Sequence, residues 1–409
     1  MKGKYFKLLI GLAMGGLILG TWGMVNLFVY GKEATALGSY VPWGLWVAVY
    51  LFFLGLTAGA FLITILTYVF RVKVFAPIGP LSAFTVLVAL ICEILIISFD
   101  LGHMFRIYRF LLTPSFTSMI TWMVIFTNLM IIIYLLETFF LLRENIILWS
   151  QDESRSGCGF YRLLALGKSS YSEADRENDH RRVRLLSIIS LPVGLVFYGV
   201  NGAIFAVVLD RPLWNSAITP LLFILTALLS GGALIALLTY VFRIDDELVH
   251  RLGHVVRFLL AVFILLELFQ FFVGYLSGTA GTITTLNLIL FGPYWWVFWI
   301  LHLLIGSAIP LFLLYGRHED PRAIAWGCFL ILIMFIAVRL NFLIPNLALY
   351  KLEGLEAAFQ HPRLRTNYFP NLTEWLVSLW VVSLGLLTFL LGTRWLPVIA
   401  AGRGEEEHV

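Results

Sequence analysis

Ten uninterrupted apolar runs decide what this chain can fold into. They fall near residues 6–30, 42–70, 80–100, 118–142, 185–209, 219–242, 254–276, 294–315, 323–346 and 373–395. Each is long enough to cross a hydrocarbon core of about 30 Å. Inside lipid a backbone amide has no water to bond, so a spanning segment must pair its own polar groups, and a continuous apolar run does this as a helix. A membrane β-barrel would show short segments of alternating polarity instead. Composition agrees: 13% of residues are charged and 60% hydrophobic, against roughly 25% charged in a soluble domain. The predicted fold class is an all-α integral membrane protein with about ten transmembrane helices.

Lysine and arginine set the expected orientation. With the N-terminus inside, the inner segments include Lys4, Lys7, Arg71, Lys73, Arg243, Arg251 and the basic stretch within 143–184. The outer segments hold fewer cations, among them Lys32, Arg106, Arg109 and Arg211. This asymmetry places both termini in the cytoplasm of a multi-pass protein of the cytoplasmic membrane. The first run is too long for a signal segment and no small-residue cleavage site follows it, so it reads as an anchor. No basic stripe lies outside this pattern, which leaves nucleic-acid binding unsupported. The mixed-charge segment 143–184 reads as a partly ordered cytoplasmic linker.

An internal repeat divides the chain. LFFLGLTAGAFLITILTYVFR (51–71) aligns without a gap with FILTALLSGGALIALLTYVFR (223–243), with ten of 21 positions identical, including the closing TYVFR. In the next run Glu93 corresponds to Glu267, and further on Trp122 falls opposite Trp296 and Asn128 opposite His302. An even number of spans separates the copies, so both cross the membrane in the same sense. The predicted organisation is an anchor (1–41), a first four-helix bundle (42–210), a second, parallel-repeated four-helix bundle (211–346), and a closing loop, helix and tail (347–409). Small residues cluster in both repeat helices: Gly55, Ala58, Gly59 and Ala60, then Ser230, Gly231, Gly232 and Ala233. They permit close helix approach or leave room for a flat ligand.

Ionisable groups within these runs demand a reason, since a charge at the bilayer centre costs at least ~2.5 kcal/mol. Glu93 and Asp100 are seven residues apart, two helical turns, hence on one face of the third span. His103 and Arg106 follow at its outer end. Glu267, Gln270, His302 and Arg339 also lie in the outer half, while Glu137, His254 and Arg257 lie in the inner half. Asp100 and His103 suit proton exchange with a hydroxyl being oxidised, and Trp43 and Trp122 stand at the same rim. Glu93, Glu267, His302, Arg339, Glu137 and Arg257 are the candidates for a proton path from that rim to the inner face. Pairing between helices, for example Glu267 with Arg339, is the structural alternative, and Arg257 could simply reach the inner surface.

Metal chemistry finds few ligands. The cysteines are Cys92, Cys158 and Cys328, with no C-x-x-C among them. The chain therefore offers no framework for its own iron–sulfur cluster or c-type haem. Of eight histidines, only His103 and His302 could be considered for a b haem, and they belong to different repeats at different depths.

Several stretches together resemble the NrfD / polysulfide-reductase membrane-subunit family, in its ten-helix branch. VPWGLWVAVYLFFLGLTAGAFLI (41–63) is similar to its opening Trp-Gly helix. FDLGHMFRIYRFLLTPSFTSMITWMV (99–124) is similar to its Asp-Leu-Gly segment and the helix that follows. RPLWNSAITPLLFILTALLSGGALI (211–235), AVRLNFLIP (337–345) and YFPNLTEW (368–375) resemble its later landmarks. The resemblance implies a quinone-interacting subunit of a multi-subunit respiratory oxidoreductase, inactive alone. It would exchange electrons between membrane menaquinone and an iron–sulfur partner on the outer face, with further redox subunits beyond. It implies no haem or iron–sulfur cluster on this chain, and with the position and titration chemistry of the residues it puts the expected head-group site at Asp100, His103, Glu93, Arg106, Trp43 and Trp122. A secondary transporter, or a b-haem or anchoring subunit, is the alternative from the residues alone.

Overall fold

The computed structural model describes residues 3–152, 157–211, 213–350, 354–361 and 364–399. Among these residues ten helices are long and apolar enough to cross a membrane. They are α1 (Lys4–Ala34), α2 (Leu45–Val69), α3 (Lys73–Asp100), α4 (Met119–Gln151), α5 (Glu173–Ala206), α6 (Ile218–Phe242), α7 (Asp246–Leu276), α8 (Val297–Gly316), α9 (Pro321–Leu347) and α10 (Leu372–Trp395). All ten runs read from the sequence are there. We name the two ends of the array by what they carry: the Asp100 end and the linker end, the latter holding 143–184.

The repeat is visible in the backbone. Arg71 and Arg243, the last residues of the two TYVFR copies, have left-handed φ of 55° and 54°. This conformation closes a helix and is usually left to glycine, so its recurrence at matching positions is a specific shared feature. Following the sequence repeat, we refer to α2–α5 as the first bundle and α6–α9 as the second; α2 and α5 both pack on α6, α1 and α10 pair with each other, and α10 leans on α3.

The bundles meet where α2 crosses α6. A Cβ on Gly59 would fall 2.0 Å from the backbone carbon of Gly231, and one on Gly231 would fall 2.2 Å from the amide nitrogen of Gly59. These two glycines are equivalent in the repeat alignment. A residue touching its own counterpart is the mark of a two-fold relation, so the pseudo-axis passes between them. The small-residue clusters therefore serve backbone approach. The alternative reading, room for a flat ligand at these glycines, is corrected: the opposite helix fills the space.

The linker differs from expectation. Helix α4 continues to Gln151, α5 begins at Glu173, and a short helix covers Cys158–Leu164. Ser172 and Asp175 form a reciprocal capping box at the start of α5, and Arg143 reaches Asp179 at 3.1 Å. Arg176 pairs with Glu144 and Lys168 with Asp175. Charges matched between two helix extensions give helical order to a segment whose composition alone reads as a partly ordered linker.

Candidate functional site

Asp100 ends α3 at the rim of a cavity between α2, α3, α4 and α5. The cavity holds about 120 Å³, and its lining is apolar (Val47, Ile97, Met123, Phe205) apart from Trp43, Tyr50 and Asp100. A mostly apolar pocket with a few convergent polar groups is the ordinary form of a small-molecule site. Lys32, in the last turn of α1, donates to Asp100 Oδ1 at 2.9 Å and lies 4.8 Å over the Trp46 ring.

A buried clamp holds that turn in place. Glu374 accepts hydrogen bonds from the backbone amides of Ala36 and Asn371, each at 3.0 Å, and from the Tyr368 hydroxyl at 2.5 Å. The same hydroxyl accepts from the amide of Leu45 at 2.8 Å, the first residue of α2. A Cβ at position 44 would sit 2.1 Å from the Tyr368 oxygen, which explains Gly44. Burial, then the neighbouring Glu374 carboxylate, pushes the Tyr368 phenol far above its ordinary range, so it stays protonated as a donor.

Below the cavity runs a line of buried polar groups in the first bundle. Tyr50 donates to Asn201 Oδ1, and Glu93 is fully buried beside Tyr50. Neither Glu93 oxygen has a hydrogen bond of its own. Tyr198 meets Thr57 at 2.9 Å and Tyr134 meets Thr64 at 2.8 Å. Ser187 donates to Glu137 Oε1 at 3.3 Å, while Glu137 Oε2 has no partner. From Asn201 to Ser187 the line covers 14 residues of α5, about 21 Å of helix. Arg143, Asp179 and Tyr171 continue it at the linker end, with Asp179 buried.

The second bundle has its own cavity, of about 70 Å³, lined by Leu222, Phe271, Glu267, Gln270, Arg339, Asn341 and Asn346, among others. Glu267 does not pair with Arg339 as the structural alternative had it. Its Oε2 lies 3.2 Å from His302 Nε2, and His302 Nδ1 faces Asn341 Nδ2 at 3.3 Å. Arg339 is sandwiched between Phe223 and Phe335, 5.0 Å from each ring, with Nε and Nη2 unpartnered. The rings of Phe205 and Phe342, 5.1 Å apart, stand between the two cavities.

The structure brings some of the expected residues together and separates others. Asp100 and Trp43 line the first cavity and Glu93 lies beside it. His103 and Arg106 are exposed outside it, because α3 stops at Asp100 and Leu101 is extended, which takes His103 off the Glu93–Asp100 face. Trp122 also stands outside the lining, its indole donating to the Phe116 carbonyl at 2.9 Å. Of the path candidates, Glu93 and Glu137 share the first bundle, and Glu267, His302 and Arg339 the second. Arg257 stacks over Tyr315 at 5.0 Å; ten residues of α7, about 15 Å, separate it from Glu267, and all nine between them are apolar. Sequence reasoning missed Tyr50, Tyr134, Tyr198 and Ser187, whose hydroxyls look like ordinary core residues. It also missed the clamp, for which the Asn-x-x-Glu capping box at 371–374 was an available signal.

These features define a polytopic membrane protein with two related intramembrane cavities. The chain belongs to the family described as Polysulphide reductase, NrfD, which it matches over residues 33–350. It is 30% identical to a selenate reductase subunit of Mesobacillus selenatarsenatis, over 97% of this chain and 95% of that one. It is 25% identical to the Hdr-like menaquinol oxidoreductase integral membrane subunit of Archaeoglobus fulgidus, over 98% and 96%. Protein NrfD of Escherichia coli is 24% identical over 66% of this chain and 83% of its own.

Proposed function

We propose that this chain is the quinone-interacting membrane subunit of a respiratory reductase complex, with the head group held in the Asp100 cavity. The observation that carries the reading is a carboxylate, held by Lys32 and standing at the rim of an apolar cavity inside the span. Family membership supports it, as does the relative named as a menaquinol oxidoreductase subunit. Oxidation of a quinol yields a quinone, two protons and two electrons, and reduction reverses this. Asp100 is positioned to exchange a proton with a hydroxyl in the cavity, while Trp43 and Tyr50 flank the space for the ring. The electrons pass to or from an iron–sulfur subunit docked over the Asp100 end, which faces outward by the lysine and arginine asymmetry. A head group so near the outer surface can trade protons outward unaided. The Tyr50–Glu93–Tyr198–Tyr134–Glu137 line, which continues toward the linker end, therefore serves as a proton route to the cytoplasmic side. Replacing Asp100 by Asn in the intact complex should cut quinone-linked turnover roughly 100-fold or more with assembly retained. Normal turnover in that variant would remove the assignment.

A further inference from the structure

The second bundle's cavity is not absorbed by that reading. It is the counterpart of the first: Leu222 and Phe271, which line it, are the repeat equivalents of Tyr50 and Ile97, which line the other. Its polar groups are numerous and incompletely used. Arg339, 2% exposed, leaves two nitrogens without partners, and Asn341 and Asn346 each leave a side-chain carbonyl unpaired. Such groups at a cavity wall are costly unless something in the cavity bonds them. What completes them must offer acceptors to a guanidinium and hydroxyl donors to amide carbonyls. It must also be flat enough to lie against Phe223, Phe271 and Phe342. A quinone/quinol head group has that chemistry: carbonyls in one state, hydroxyls in the other, on an aromatic-sized plane. Glu267 on the same wall supplies a carboxylate for its hydroxyl protons, and the His302 imidazole stands 3.2 Å from that carboxylate.

We infer that the cavity bounded by Glu267, Arg339 and Asn341 is a second quinone-class site, the repeat-related partner of the Asp100 cavity across the wall of Phe205 and Phe342. This rests on the proposed function of the first cavity, and the test separates the two. The probe is 2-heptyl-4-hydroxyquinoline N-oxide, a fluorescent quinol mimic, titrated against the purified intact complex. Wild type should quench two equivalents per chain. Leu222→Trp, which fills the second cavity, should leave one, and Met123→Trp, which fills the first, should leave the other. Arg339→Lys keeps the charge but loses the planar fork, and should weaken one of the two equivalents about tenfold. This variant covers the case in which Leu222→Trp fails to assemble. A single equivalent, lost in Met123→Trp and kept in Leu222→Trp and Arg339→Lys, overturns the inference and leaves the first-cavity reading standing. A single equivalent lost only in Leu222→Trp or Arg339→Lys supports the second cavity and removes the first. No saturable binding overturns both.

Discussion

The two bundles share a backbone plan and differ in where their polar groups go. In the first, hydroxyls and carboxyls follow one another from Tyr50 and Glu93 down to Glu137 and the Arg143–Asp179 pair. In the second, Glu267, Arg339 and Asn341 line one cavity with His302 against Glu267 and Asn341, and α7 is apolar from Phe258 to Leu266. The shared part is enforced by contacts that tolerate no side chain, Gly59 on Gly231. The unshared part lies where side chains can change without moving a helix. A duplicated fold thus fixes the position of two cavities and leaves each bundle free in what it connects its cavity to.

The shared interface should break most severely. Gly59→Leu places atoms inside the Gly231 backbone, and we expect no monodisperse protein on detergent extraction. Gly232→Ala, where a Cβ meets only Val256 at 3.4 Å, should purify normally. Equal yields for the two would undo the two-fold account of the interface.

Next comes the difference in connection. Glu137→Gln keeps shape but cannot release a proton, and should abolish proton movement from the linker side in proteoliposomes. Glu267→Gln, in the bundle without a continuous line, should leave that movement largely intact. If Glu267→Gln is the damaging change, the bundles have been assigned the wrong way round.

Smaller effects reach the first cavity through its supports. Tyr368→Phe strands the Leu45 amide and one Glu374 oxygen. About 1–3 kcal/mol of stability should go, read as an earlier thermal transition. Lys32→Met removes the cation beside Asp100. The carboxylate then loses the donor that holds it at 2.9 Å, and quinone-linked turnover should fall several-fold with assembly retained. Unchanged turnover would mean that Lys32 does not position Asp100. Smallest is Arg257→Leu, expected to change proton movement not at all, because nothing polar on α7 joins it to Glu267.

The ten spans and the repeat were legible because lipid allows few solutions and because TYVFR recurs at the end of two aligned runs. Asp100, Trp43 and Glu93 could be placed together because two helical turns separate the two acids. His103 could not, since its position depended on a helix that stops at Asp100. The Glu267–His302 contact, formed across α7 and α8, leaves no spacing signature. The linker hid its helices because its charges balance between α4 and α5, not within one stretch.

The central claim is that a quinone head group occupies the Asp100 cavity, and light-activated cross-linking with an azido-menaquinone analogue tests it most directly. The account predicts label on peptides covering Trp43–Tyr50 and Ile97–Val124, competed away by unlabelled menaquinone. Competed label confined to the lipid-facing crevice of Trp296, Phe369 and Trp375, with none on those peptides, would contradict it.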